Sequence, residues 1–226
     1  MNRRLIILVV ALAGVASLIQ HAPLAWVDSA LPDGFGPVTG TYWNGQIDDV
    51  PLLGDVSVDG RLGHVQLATA PGEVTFRGDV SPTGVTDLVL SMPIARLPIS
   101  DARLSGLVGR VSLQIDEAVI EEGACVSAVG HASTDVLSAN RATFDWYGPE
   151  LAGPVDCIDG RLRVRLSGQE GGQNVSATIL TGMDGTYRSD ISVVTADPMA
   201  GNALALFGFG PDGQGGYSLS EQGRWR

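Results

Sequence analysis

The run Gly148-Pro149-Glu150-Leu151-Ala152-Gly153-Pro154-Val155-Asp156-Cys157-Ile158-Asp159-Gly160, continuing as Arg161-Leu162-Arg163-Val164-Arg165-Leu166, decides the fold class of this chain. Its second half alternates strictly, with Leu162, Val164 and Leu166 set against three arginines. That is the period of an antiparallel strand with one buried and one wet face. Its first half is punctuated: Gly148-Pro149 and Gly153-Pro154 read as two turns around a short apolar step, and Asp159-Gly160 leads into the strand. The expectation is a tight corner feeding an antiparallel strand. Cys157 sits in that corner, and the only other cysteine, Cys125, lies in a strand-like run of its own. A bond between them would pin the corner to a distant part of the sheet.

Outward from this stretch the same pattern recurs. Val111, Leu113 and Ile115 alternate with polar residues, and 175–179 and 191–193 repeat the period. Short alternating runs at 56–58, 65–68, 74–79 and 85–91 precede them. Val38 to Gly45 reads as a first strand ended by an Asn44-Gly45 turn, and 96–109 fits no single period. One helix stands out near the end, where Asp197 suits the N-cap and Pro198 the first helical position. Met199 to Phe207 follow, with Leu204 and Phe207 spaced to pack, and Gly208 is the stop. Gly216 to Ser220 is a last strand. The 30 glycines and 12 prolines among 226 residues fall between short apolar runs without a repeat, as in an all-β chain with one core. The fold expected is mainly β: a strongly curved antiparallel sheet, either an open trough or a partly closed barrel or sandwich, with one short C-terminal helix.

The N-terminal end has a different character. Arg3-Arg4 precede Leu5 to Ile19, which carry no charge and a single polar side chain, Ser17; the apolar span reaches about residue 25. That is roughly the 20 residues a helix needs to cross a bilayer core. The arginines orient it with its N terminus in the cytoplasm. This divides the chain into a cytoplasmic tip (1–4), a transmembrane anchor (5–25), a Gly/Pro-rich linker (26–37) and a single exported β domain (38–226), with Trp26 at the outer interface. The rival reading is a cleaved signal peptide, for which Ala11-Leu12-Ala13 and Val15-Ala16-Ser17 supply small residues. Both readings export the body.

Composition and spacing exclude more than they assign. The net charge is −11, with 25 acidic residues and all 14 Lys/Arg positions arginine, so the body should be repelled by phosphate backbones and anionic lipid headgroups and not bind nucleic acid. His21, His64 and His131 show no paired ligand spacing, and the cysteines lack C-x-x-C partners. Gly208-Phe209-Gly210-Pro211-Asp212-Gly213 spells a dinucleotide loop but follows a helix instead of opening one. Asp48-Asp49 and Glu121-Glu122 read as turn residues, and no G-x-S-x-G elbow occurs. No catalytic, cofactor-binding or metal-binding residue is assigned, and the chain is not expected to be an enzyme. Two cysteines in an exported chain most simply form one disulfide, Cys125–Cys157, whose loop of roughly 33 residues would contribute about 3–4 kcal/mol; two buried thiols are the alternative. The stripe Arg161, Arg163, Arg165 fits either an acidic partner or cross-strand pairing with Asp and Glu. Trp43, Trp146, Tyr147 and Tyr217 lie beside Gly or Pro turns and are the candidate partner contacts, with corner packing as the alternative.

As an ordered set these features resemble the bacterial type II secretion system protein N family, also called general secretion pathway protein N. The resemblance rests on the N-terminal span and Gly40-Thr41-Tyr42-Trp43-Asn44-Gly45. It continues through Cys125 to Gly130, Gly148 to Gly153 with Cys157, and Gly160-Arg161-Leu162. It closes with the helix from Asp197-Pro198 to Leu206-Phe207-Gly208 and with Gly216-Tyr217-Ser218-Leu219. Residues 46–120 carry none of it. The resemblance implies a non-enzymatic accessory component in the inner membrane of a Gram-negative bacterium. Its body would be periplasmic, its partners other inner-membrane secretion subunits, and it would use no cofactor. The two cysteines carry over as a disulfide. A second hypothesis is a lipid-handling module, in which a long sheet curls its apolar face into a trough for acyl chains.

Overall fold

The computed structural model describes Pro23, Leu24 and residues 36–97, 106–144, 148–196 and 200–224. Strands follow one another through tight turns, so each pairs antiparallel with its predecessor. The first six are β1 (Val38–Thr41), β2 (Asn44–Val50), β3 (Gly54–Arg61), β4 (His64–Thr69), β5 (Thr75–Ser81) and β6 (Gly84–Pro93). The others are β7 (Arg110–Glu121), β8 (Ala124–Thr134), β9 (Leu151–Ile158), β10 (Arg161–Glu170), β11 (Gln173–Thr181), β12 (Thr186–Thr195), β13 (Gly210–Pro211) and β14 (Tyr217–Arg224). They make one sheet in chain order, except that β14 lies between β12 and β13. β1 and β13 do not pair, so the described sheet is open and not a closed barrel. Glu122-Gly123, Asp159-Gly160 and Gly171-Gly172 turn with positive φ at both residues. That is type I′ hairpin geometry, whose twist suits the flanking strands.

Several expectations are corrected. Gly153-Pro154 is not a turn, because β9 runs straight through it, with Gly153 opposite Ala132 and Pro154 opposite His131 on β8. Proline offers no N–H to a second neighbour. The ladder to β10 accordingly skips this step, passing from Val155–Val164 to Ala152–Ser167. The missing side chain of Gly153 lets the strands close there, since a Cβ would run into the carbonyl oxygen of Arg165. Asn44-Gly45 is not a turn either. Thr41 pairs with Asn44, which leaves Tyr42-Trp43 as the connection and makes Asn44 the first residue of β2. Asp48-Asp49 lie within β2, where the register shifts between Ile47 and Val50 and Asp49 takes φ of 51°. Glu121 ends β7 and Glu122 forms the turn, as read.

The cysteines are bonded, with Cα atoms 5.6 Å apart, but the tie is to a neighbouring strand and not to a distant part of the sheet. The β8–β9 ladder runs from Thr134–Leu151 to Gly130–Val155 and then opens. It meets again at an isolated bridge where the Cys125 N–H donates to the Gly160 carbonyl at 2.9 Å. The disulfide spans the opened stretch, holding together two strand ends that backbone bonds alone leave apart.

The apolar face is packed in two clusters. Ile115, Ala118, Ala132 and Val155 form one, flanked by Leu113, Leu162, Val164 and Leu166. Ile115 and Ala118 both point inward because the β7–β8 register slips between Ile115 and Glu117, which resets the alternation. Leu151, Val175, Val193, Ala200 and Leu204 form the other, with Leu137, Leu166, Phe209 and Tyr217 against it. Leu166 touches both clusters. Each buried valine or leucine contributes about 1.5–3 kcal/mol against exposure. Ala200–Leu206 is the lone longer helix of the described residues. It ends as expected at Gly208, at φ of 89°, where the amides of Gly208 and Phe209 return to the carbonyls of Ala205 and Leu204. The expected cap, Asp197-Pro198, lies outside the described residues.

Between the single helical turns Val136–Ala139 and Arg141–Phe144 sits Asn140, 2% exposed. Its Nδ2 donates to the carbonyls of Val108 and Val136 at 2.6 and 2.7 Å, and its Oδ1 accepts the Val108 N–H at 3.1 Å. It stands in for a strand partner to Val108, fastening the β6–β7 connection to the β8–β9 connection. Much of 96–109, which fits no period, lies outside the described residues, after a 3₁₀ turn at Ile94–Arg96.

The expected anchor also lies outside them, apart from Pro23 and Leu24. Among the described residues no helix is long and apolar enough to cross a membrane. Pro23 bridges Thr41 of β1, and Leu24 is buried at 5% exposure. Of the stretch expected as the anchor, these two residues therefore lie against the sheet. Of the linker, Gly36 and Pro37 are already bonded to Asp48 of β2 at 2.9 and 3.2 Å.

Candidate functional site

The outward face of β9–β10 carries the arginine stripe. Arg163 and Asp156 are directly paired across the ladder. Arg163 donates from Nε and Nη2 to the two carboxylate oxygens of Asp156, both at 2.7 Å, and Arg165 Nη2 adds a third bond at 3.0 Å. The hydrogen bond from Arg163, helped by the charges of both arginines and opposed by desolvation, holds the Asp156 carboxyl below its ordinary range. The same bond raises the Arg163 guanidinium. Farther along the sheet, Arg188 grips Asp190 from Nε at 2.8 Å and Nη2 at 3.1 Å, and Ser220 Oγ joins it at 2.6 Å. The Arg188 bond and then the Ser220 bond lower Asp190. Arg163 and Arg165 are thus spent on cross-strand pairing, the plainer of the two readings. On this face Asp156 and Asp190 are each held by arginine.

The turns define two rims. One collects the turns β1–β2, β3–β4, β5–β6, β7–β8, β9–β10 and β11–β12; the helices and longer connections lie at the other. Trp43 is on the first rim, half-buried, with its ring edge-on to Tyr42 at 5.0 Å. Tyr42 in turn donates its hydroxyl to the Arg61 carbonyl at 3.0 Å and lies 3.4 Å from that of His64, on either side of the β3–β4 turn. Tyr217 belongs to the opposite rim and to the helix-capped cluster, with its hydroxyl over Gly201. Trp43 and Tyr217 are therefore not brought together. Trp146 and Tyr147 lie outside the described residues. Nothing in the periodicity pointed to Asn140 or to the Tyr42 clasp, because both act on backbone carbonyls distant in sequence.

Among the described residues, each edge of the sheet is only partly paired. β13 pairs only with Tyr217 and Ser218, so among the described residues Leu219 to Arg224 have no strand beyond them. Such an edge presents a row of backbone donors and acceptors to an added strand. A depression of about 320 Å³ marks the skipped step of the β9–β10 ladder, lined by Pro154, Arg165, Ser167, Ser176 and Thr178 among others. Its one cation, Arg165, already holds Asp156. His64 opens β4 and His131 lies on β8 between Gln114 and Pro154, so the two do not converge. Among the described residues no group of His, Cys, Asp and Glu is placed to hold a metal ion. Gly210-Pro211 is a strand, and Asp212 turns the chain back through bonds from the amides of Gln214 and Gly216 at 2.7 and 2.9 Å. The dinucleotide-like spelling there is a turn, as its context implied.

Among the described residues the sheet is an open antiparallel meander whose two end strands, β1 and β13, do not pair with each other. The chain belongs to the type II secretion system protein N family, whose model matches residues 34–220. The match takes in every strand from β1 to β13 and the first half of β14, and membership ties the chain to type II secretion and to interaction with its other components. Neither curated proteins nor solved structures yield a match.

Proposed function

We propose that the chain is a non-enzymatic structural subunit of the type II secretion machinery, tethered in the inner membrane by its N-terminal apolar span. Its N terminus faces the cytoplasm and its sheet the periplasm. The observation that carries this reading is the family match over almost the whole sheet, 34–220. The bare edge of β14 from Leu219 to Arg224 supports a mechanism in which another inner-membrane subunit adds an extended segment to it. The lipid-handling trough ranks second. It needs an uninterrupted open apolar groove, whereas the apolar side chains here close on one another in two clusters, one of them covered by the Ala200–Leu206 helix. The test is recovery of the tagged full chain from detergent-solubilised membranes, followed by mass spectrometry. Co-purification of inner-membrane secretion subunits is expected, and their absence together with abundant bound lipid would shift the assignment to the second reading.

A further inference from the structure

We infer that the rim formed by the β1–β2 and β3–β4 turns lies on the bilayer surface, with Trp43, Tyr42 and Leu62 as its contacts to lipid. This rests on the anchored reading proposed above. Pro23, near the end of the apolar run, bridges Thr41 at the β1–β2 turn. Leu24 is buried with its Cδ2 over the bare Cα of Gly45. On the anchored reading the span would therefore leave the bilayer beside this rim, which brings its turns near the headgroups.

The rim has the chemistry of that layer. Trp and Tyr, apolar at one end and polar at the other, favour the membrane–water interface. Trp43 and Tyr42 are locked edge-on to each other, and the Tyr42 hydroxyl clasps the β3–β4 turn. At the tip of that turn Leu62 is 88% exposed, the most exposed of the large apolar side chains described. One clasp therefore presents two aromatic rings and a bare leucine side by side.

Charge selects which part of the rim meets lipid. The turn residues of β1–β2, β3–β4 and β5–β6 and their immediate flanks, 41–44, 61–64 and 81–84, contain no carboxylate and include His64 and Arg61, the latter 3.8 Å from Asp59. The three later turns on the same rim carry Glu121, Glu122, Asp159 and Asp184 against one flanking arginine, Arg161, and Arg224 beside Asp184. Anionic headgroups attract the first set and repel the second, so the sheet stands tilted on its N-terminal corner.

The test uses the full chain reconstituted in vesicles of phosphatidylethanolamine with a minority of phosphatidylglycerol, some lipids brominated near the headgroup end of the acyl chain. Two single-tryptophan forms are compared. One keeps Trp43, with Trp26, Trp146 and Trp225 changed to Phe; the other keeps Trp26, with Trp43→Phe in place of Trp26→Phe. The expected result is quenching of both reporters to a similar extent. Leu62→Glu in the Trp43 form, a change at an exposed turn tip that leaves the circular dichroism unaltered, should cut its quenching several-fold. Quenched Trp26 with unquenched Trp43 overturns the lipid-facing rim while sparing the anchor. Quenched Trp43 with unquenched Trp26 keeps the rim and sinks the anchor, and no quenching of either removes both. Insensitivity of Trp43 quenching to Leu62→Glu counts against the shared clasp.

Discussion

Replacing both cysteines, Cys125→Ser with Cys157→Ser, separates what the disulfide does from what the sheet does without it. The bonded residues are 32 apart in sequence, so the closed loop contains the whole β8–β9 connection and most of both strands. Confining about 33 residues of unfolded chain removes roughly 12 cal/mol/K of entropy, which at 25 °C corresponds to about 3.7 kcal/mol of native stability. The folded geometry should survive the change. Five residue pairs from Gly130–Val155 to Thr134–Leu151 already hold β8 to β9, and the Cys125–Gly160 bond closes the end. The variant should therefore keep the wild-type circular dichroism at 25 °C and unfold at lower urea, with its stability reduced by about 3–4 kcal/mol. Wild type measured with reductant should move by the same amount. A loss under about 1 kcal/mol, or two alkylatable thiols in the oxidised protein, would refute the assignment of stability to this bond. Loss of the native spectrum would refute the inference that the ladder stands alone.

Two further predictions follow from side-chain bonding. Asn140→Ala removes a side chain 2% exposed and its bonds to the N–H and C=O of the exposed Val108 and to the Val136 carbonyl, and should cost roughly 1–3 kcal/mol in urea unfolding. A smaller loss than that of an ordinary surface substitution would show that water replaces the amide freely. For Asp156 the folded carboxyl titrates below its unfolded range, chiefly through the Arg163 hydrogen bond. The unfolded chain then binds the extra proton first, so the stabilisation is fully present above about pH 4 and fades as the pH drops through and below it. Urea midpoints measured from pH 7 to pH 3 should fall more steeply for wild type than for Asp156→Asn, and parallel curves would contradict the pairing.

Most of the strands were legible in the sequence because alternation is local. Val111-Leu113-Ile115, Leu162-Val164-Leu166 and the runs at 175–179 and 191–193 all fall in strands with their apolar members inward. Asp159-Gly160 and Gly208 were legible for the same reason, since a positive φ leaves a mark in residue type. The two misread turns show the limit. Gly153-Pro154 and Asn44-Gly45 have turn chemistry, but their neighbours on adjacent strands hold them extended, and pairing across a ladder outweighs a dipeptide preference.

By itself the sequence determined the mainly antiparallel β class, the acidic composition and the family likeness, because each depends on periodicity, composition or ordered short motifs. Only the tertiary structure decided that the sheet stays open and that the disulfide joins neighbouring strands. It also decided that Asn140 substitutes for a strand, and that Pro23 and Leu24 pack at the β1–β2 turn. Those outcomes depend on which distant residues share a rim or a ladder, and that is set by the accumulated register and twist of the strands rather than by the identity of any one stretch.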